Sequence, residues 1–296
     1  MKNFSQIKHR IKSISDTRKI TGAMETISVA KMRKAMYRCE NNRAYYETIR
    51  DTVEKIVLCS GKTEHKVFAA TESARPAYIV IASDKGLAGG FNHTILEYAR
   101  REWQACPHAH IFTVGQICRE YFAARGVQAD ISFADASFDP SVSQAARMSK
   151  KIYEMFMSAA IDSAYIVFTA WGEHGKMEPT TLRLLPFDRD AVVRQRESSD
   201  KDKYMFRELL FEPSAEEVLE QLFSQYLTGV LYGALLQSSA CEHSQRRAAM
   251  HNATHNANEL LSGLTAEYNR ARQETVTGEL TEIVAAANGV QDDSGK

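Results

Sequence analysis

The sequence predicts an α/β protein: a long antiparallel coiled coil of N- and C-terminal helices plus a Rossmann-like α/β domain with a mostly parallel sheet. Residues 3–57 contain no proline, a single glycine (Gly22), and apolar residues at three- and four-residue steps. The chain closes on a second long helical pattern that ends in a thin apolar stripe with a polar back. Between these two stretches, short β-branched runs alternate with helical periodicity, as in a doubly wound parallel sheet.

The first helix is expected over residues 1–60. Phe4, Ile7, Ile11 and Ile14 form its first apolar run, which resumes at Ile20, Met24 and Ile27 and again at Tyr45, Ile49, Thr52 and Ile56. The phase slips between these runs, whereas a strict heptad would not, so the pair is expected to wind loosely and irregularly. At ~1.5 Å per residue the helix is on the order of 80 Å long, so part of it should project from any globular body. Gly22 costs about 1 kcal/mol relative to alanine in a helix interior, and marks a candidate bend or close contact. Ser60-Gly61-Lys62-Thr63 ends the helix.

The α/β domain is expected over residues 75–211. Ala77–Ala82 is a short apolar run between Pro76 and a glycine-rich turn, and reads as a buried strand. Helical periodicity follows through Ile95, Tyr98, Ala99 and Trp103. Further strands are expected at Ala109–Val114, more weakly at Ala129–Phe133, and clearly at Tyr165–Thr169. Helices are expected at Ile117–Ala124 and Ser141–Ala160. Thr180–Phe187 is a candidate added strand, Ser198–Lys203 a polar loop, and Phe206–Phe211 a last strand before Pro213-Ser214.

Ser214 is positioned to cap the final helix, expected over 212–288, with Glu216 and Glu217 in its favourable first turn. This helix begins broadly apolar (Val218 through Leu231), turns small and polar from Ser238 to Asn258, and ends in the stripe Leu260, Leu264, Tyr268, Ala271, Leu280, Ile283 and Ala287. Asn269, Arg270, Arg272, Gln273, Thr277 and Glu282 lie on the opposite face. So thin a stripe suits a single partner helix. Residues 289–296 read as a disordered tail.

Formal net charge is zero, which points to neither a nucleic-acid nor a membrane partner. The zero conceals an asymmetry. Met1–Leu58 has 13 Lys+Arg against 6 Asp+Glu, and Glu212–Val290 has 4 against 10. Two antiparallel helices lying together would show such opposite signs; two solvated faces differing by chance are the alternative. No apolar run approaches the ~20 residues of a membrane span, and the N-terminus has no signal-peptide core. Five scattered cysteines without a CxxC suggest reduced thiols in a cytoplasmic setting and no zinc site.

The stretch Ser83–Asn92 follows a strand and precedes a helix, where α/β folds bind phosphates. It matches neither GxGxxG nor GxxxxGK followed by Ser or Thr, and Lys85 stands before the first glycine. A tight turn that touches a neighbour through Asp84, Lys85, Gly86, Gly89 and Gly90 is preferred to nucleotide binding. His251 and His255 have metal-ligand spacing but no third ligand within a turn, so exposed polar positions are expected. Arg246-Arg247 is a weak phosphate grip. No catalytic, cofactor-binding or metal constellation is legible.

Three blocks carry a resemblance: Ile7-Lys8-His9-Arg10-Ile11 through Thr17–Thr21 and Met24-Glu25 to Lys31-Met32-Arg33-Lys34; Ser83–Asn92; and Tyr268-Asn269-Arg270-Ala271-Arg272-Gln273 to Ile283. Along nearly its whole length the chain resembles the gamma subunit of F-type ATP synthases. The resemblance implies a non-catalytic rotor, a central stalk turning inside three alpha and three beta subunits. Its α/β domain would stand on the c-subunit ring beside the epsilon subunit. ATP chemistry would occur on the beta subunits of a proton-translocating complex at the cytoplasmic face of a bacterial plasma membrane. It further implies no cofactor, no nucleic acid and no direct membrane insertion. By position, Arg272, Gln273, Thr277 and Glu282 match contacts to the beta subunit, while Met24, Lys31 and Arg33 match the helix that passes the acidic lever loop of beta. The chain departs from the family's usual residues at Gly22, Lys85, Ala88, Ile117-Cys118, His251 and His255. The cysteine pair of redox-switched chloroplast forms has no counterpart between Asp188 and Phe211. Read without the resemblance, the residues also admit a nucleotide-binding α/β enzyme with helical arms, or a coiled-coil adaptor. ATP dialysis against the folded chain would separate the first from a rotor, and co-purification with alpha and beta subunits the second.

Overall fold

The computed structural model describes residues 4–59, 66–68, 75–104, 106, 108–137, 139–172, 175–187, 212 and 214–293. Helix α1 spans Phe4–Cys59. It is followed by β1 (Pro76–Ile81), α2 (Phe91–Gln104), β2 (His110–Val114), α3 (Gln116–Ala123), α4 (Val142–Met157), β3 (Ser163–Trp171), β4 (Met177–Leu185) and α5 (Ala215–Asp293). Contacts divide the chain into two units, Ser28–Arg246 and Met1–Ile27 with Arg247–Lys296.

In the larger unit the sheet order is β2-β1-β3-β4. β1 pairs in parallel with both β2 and β3, and β4 runs antiparallel to β3. Every residue of β1 is buried, as a central parallel strand covered on both faces requires. Its alternation divides two cores. Ala77, Ile79 and Ile81 face α4 residues Met148 and Ile152, α1 residues Val53 and Ile56, and α5 residues Phe223 and Leu227. Tyr78 and Val80 face Ile95 and Leu96 of α2 and Cys118 and Phe122 of α3. Ser141 caps α4 in a capping box with Gln144.

Ala129–Phe133 is not a strand. Only Asp130 bridges to Phe112, and the chain then turns into a short 3-10 helix at Ala134–Ala136. Asp130 instead spends its carboxylate on Lys151, at 2.6 Å. The candidate strand at Thr180–Phe187 is β4, beginning at Met177 and antiparallel because it returns directly from β3. The expected strand at Phe206–Phe211 lies outside the described residues, as does Pro213. Ser214 Oγ accepts from the Glu217 backbone N–H at 3.2 Å, and caps α5.

Along α1 the periodicity differs from expectation. Ile20 and Ile27 are 61% and 55% exposed, and Tyr45 is exposed too. The buried positions are Ile7 and Thr21 in the smaller unit and Ser28, Ala35, Ile49, Val53 and Ile56 in the larger, all but Val53 at multiples of seven residues, with Ile14 and Asn42 half-buried in the same phase. The apparent slip arises because the middle of this seam is filled by small and polar residues, which apolar counting overlooks. Gly22 is not a close-contact site, since a Cβ there would meet nothing within 4 Å.

In the smaller unit the two helices pair antiparallel. Arg18 donates to Asn258 Oδ1 at 3.4 Å, the Thr21 and Thr254 hydroxyls lie 2.7 Å apart, and His251 lies 3.1 Å from Glu25. Partner numbers fall as α1 numbers rise. In the larger unit Asn42 donates to the Gly229 carbonyl at 3.1 Å, and Tyr46 stacks at a tilt on Tyr226. α5 is helical through Asp293, so the tail expected from 289 is helix over most of its length. Among the described residues, no helix is long and apolar enough to cross a membrane.

Candidate functional site

Two features assemble the residues singled out by sequence. The first is the loop Ser83–Gly90 between β1 and α2. Asn92 Oδ1 accepts from the Ser83 backbone N–H at 3.0 Å, and its Nδ2 donates to Ser83 Oγ at 2.7 Å, closing the loop. Asp84 Oδ1 accepts from the Gln116 N–H at the start of α3, 3.0 Å away. Leu87 and Gly89 have φ of 60° and 56°, the left-handed turn region. Ala88 and Phe91 pack with Cys241 of α5, against Trp171 and Met177.

The loop is held from α5 by Arg246. Its Nη2 donates to the Lys85 carbonyl at 2.8 Å and the Gly86 carbonyl at 3.3 Å. Its Nη1 lies 2.5 Å from Glu242 and 3.1 Å from His243 Nδ1. All three α5 side chains are buried. A phosphate cradle presents backbone N–H groups to its anion. Here the carbonyls of Lys85 and Gly86 are turned onto a guanidinium, the polarity of a cation site already filled by the chain itself. The loop is therefore a tight turn closed on its own helix, with Lys85, Gly86, Gly89 and Gly90 exposed and Asp84 half-buried.

Electrostatics follow from burial. Burial pushes the Glu242 carboxyl above the usual carboxylate range, opposed by Arg246. Burial, then Arg246 and Lys31, lower His243 to about 4, so its ring is neutral at pH 7. The Cys241 thiol is pushed up to about 12, chiefly by burial, and is not a nucleophile. Sequence reasoning missed this cluster. The available signal was Glu242 and Arg246 at i,i+4 spacing inside a stretch of small residues.

The second feature is the end of α5. Arg272, Gln273, Thr277 and Glu282 are exposed there. Leu280 and Ile283, expected to pair with a helix, are 57% and 65% exposed, and Val276 and Val284 are exposed as well. Geometry gives the reason. With Arg18 opposite Asn258 and equal rise in both helices, α1 reaches its start about fourteen residues further along α5. Nothing in α1 is left to cover residues beyond. Met24 and Lys31 are half-buried on α1, and Arg33 is exposed. His251 and His255 are exposed, beside Glu25 and Glu259. Among the described residues no group of three His, Cys, Asp or Glu could hold a metal ion.

Known proteins resemble this chain along nearly its whole length. The family model described as ATP synthase matches residues 3–290. The chain is 36% identical over 285 residues to the ATP synthase gamma chain of Alkaliphilus metalliredigens, covering 96% of this chain and 98% of that one. It is 33% identical to the gamma chain of Acetobacterium woodii, named as sodium ion specific, covering 97% and 99%. Among solved structures, a chain of the Euglena gracilis mitochondrial ATP synthase shares the fold. The TM-score is 0.67 at 18% identity, covering 99% of this chain and 96% of that one.

Proposed function

This chain belongs to the ATP synthase gamma family, and we propose on that premise that it couples ion-driven rotation of a membrane ring to conformational change at the catalytic beta subunits. It is a central-stalk subunit of an F-type ATP synthase and is itself non-catalytic, with ATP chemistry on beta. The observation that carries the coupling reading is the bare end of α5: four exposed apolar residues, Val276, Leu280, Ile283 and Val284, on a stretch of that helix that α1 does not reach. Exposed apolar side chains in register along a helix are a docking surface. In our reading that end turns inside a collar of three alpha and three beta subunits. Arg272, Gln273, Thr277 and Glu282 touch a beta loop, and Met24, Lys31 and Arg33 pass its acidic lever. The turn at Asp84, Lys85, Gly86, Gly89 and Gly90 contacts a neighbouring subunit, with epsilon and the c ring beside the α/β domain. The chain sits peripherally at the cytoplasmic face of a bacterial plasma membrane, and the coupling ion of the complex is the proton.

The test is Arg272→Ala with Gln273→Ala in the assembled complex. ATP synthesis by membrane vesicles should fall severalfold, while the isolated chain melts within about 0.5 kcal/mol of wild type, because both side chains are exposed. Unchanged synthesis and assembly would remove these residues from the contact. Sodium dependence of ATP hydrolysis by native membranes tests the ion separately: stimulation by sodium at fixed ionic strength would replace the proton.

A further inference from the structure

A groove of about 680 Å³ runs between α1, α4 and α5 in the larger unit. Tyr45 of α1, Val142 and Ala146 of α4, and Gly229 and Tyr232 of α5 line it, and Arg38, Asn41 and Gln225 add polar groups. We propose that this groove binds an uncharged aromatic molecule that carries an amide, or another group that both donates and accepts hydrogen bonds.

Size is the first reason. Pockets that take organic ligands run from about 300 to 1,000 Å³, and this one falls within that range. The apolar surface left open is the second. Tyr45 and Val142 are each more than half exposed, on two helices that border one groove. A ring seated between them removes both from water, and aromatic rings pack favourably on tyrosine. Charge is the third reason. Arg38 is the one charged residue in the wall, and it is already engaged: Nη1 donates to Asp139 Oδ1 at 2.7 Å and to the Pro140 carbonyl at 3.4 Å. A charged ligand would therefore shed its hydration without meeting a free counter-ion. The amides are the fourth. Among the described residues the Asn41 amide has no partner. Gln225 Oε1 accepts from the Tyr45 hydroxyl at 3.4 Å, which leaves Nε2 to donate. Asn42 gives Nδ2 to the Gly229 carbonyl at 3.1 Å, which leaves Oδ1 to accept. Such side chains offer donors and acceptors together, and an amide on the ligand answers both.

The experiment is a fluorescence titration of the full-length chain with Nile red, an uncharged aromatic dye that brightens in apolar sites. Benzanilide, with a carbonyl and an N–H between two rings, is the displacing ligand. One saturable dye site is expected, emptied by benzanilide. Ala146→Trp should weaken both molecules about tenfold or more, because the indole occupies the groove. Asn41→Ala should weaken benzanilide about three- to tenfold, the worth of one hydrogen bond. Both positions are exposed, so melting curves should match wild type. Leu280→Asn, at the bare end of α5, should leave binding unchanged and so separates the groove from that surface. The 4-carboxylate of benzanilide should displace the dye severalfold less well. Absence of saturation, indifference to Ala146→Trp or Asn41→Ala, loss in Leu280→Asn, or a carboxylate that binds as well as benzanilide would each overturn the assignment. None of these results bears on the rotor reading, whose test lies at Arg272 and Gln273.

Discussion

Arg246→Met isolates the interaction that fixes the loop between β1 and α2. The substitution keeps much of the side-chain volume and removes the hydrogen bonds to Glu242, His243, Lys85 and Gly86. Glu242 and Arg246 have side chains only 11% and 9% exposed, so the carboxylate left behind is buried without its counter-ion. Breaking a buried pair from one side costs about 3–5 kcal/mol, and that is the loss expected at pH 8. The pH dependence carries a sign. Glu242 already titrates above the usual range through burial, with Arg246 and Lys31 opposing and Asp84 assisting. A raised carboxyl binds more protons folded than unfolded, so stability falls as pH rises above the ordinary carboxylate range. Losing Arg246 widens that window upward, and makes the variant worse at pH 8 than at pH 5. His243 acts in the same direction: its depression, due first to burial and then to Arg246 and Lys31, is partly relieved, so less stability is lost in acid. The penalty at pH 5 should therefore be smaller by about 1 kcal/mol or more, the worth of one pKa unit. Urea unfolding followed by tryptophan fluorescence is the assay, because Trp171 packs beside the loop. Adding Glu242→Gln should recover part of the loss, since no charge is then stranded. A penalty below about 1 kcal/mol at pH 8, or one larger at pH 5, would refute the reasoning.

Three further outcomes are expected. Wild-type stability should fall between pH 6.5 and 4 as His243 is forced to protonate. The folded value of about 4 lies below the ordinary 6.5, which is worth about 3 kcal/mol, and His243→Gln should flatten that limb of the urea midpoint curve. Gly115→Ala should cost about 3 kcal/mol or more in the same assay, because φ is 91° and a Cβ would stand 2.3 Å from the Ala82 carbonyl oxygen. Gly22→Ala should raise stability by up to about 1 kcal/mol, read as a higher melting temperature, because the site is open and helical.

Much of the fold can be read along the chain because its signals are local. Proline-free periodicity marks α1, and β-branched apolar runs mark β1 and β3, since buried parallel strands need apolar residues on both faces. The three quoted blocks carried the family. The sequence alone thus determined most of the element types, the alternating order that makes a mostly parallel sheet, and the apolar residues that line its two faces. Tertiary structure decided which polar residues are inside. Thr21, Ser28 and Asn42 lie on the α1 seam because another helix covers those positions, and nothing in their chemistry announces it. Arg246 is buried because two carbonyls some 160 residues away turn toward it. The exposure of Leu280 and Ile283 depends on where α1 runs out, a matter of register between the two ends of the chain. Apolar side chains declare a preference for the interior by themselves, whereas a polar group is stable there only when its partner arrives, and here those partners come from distant sequence.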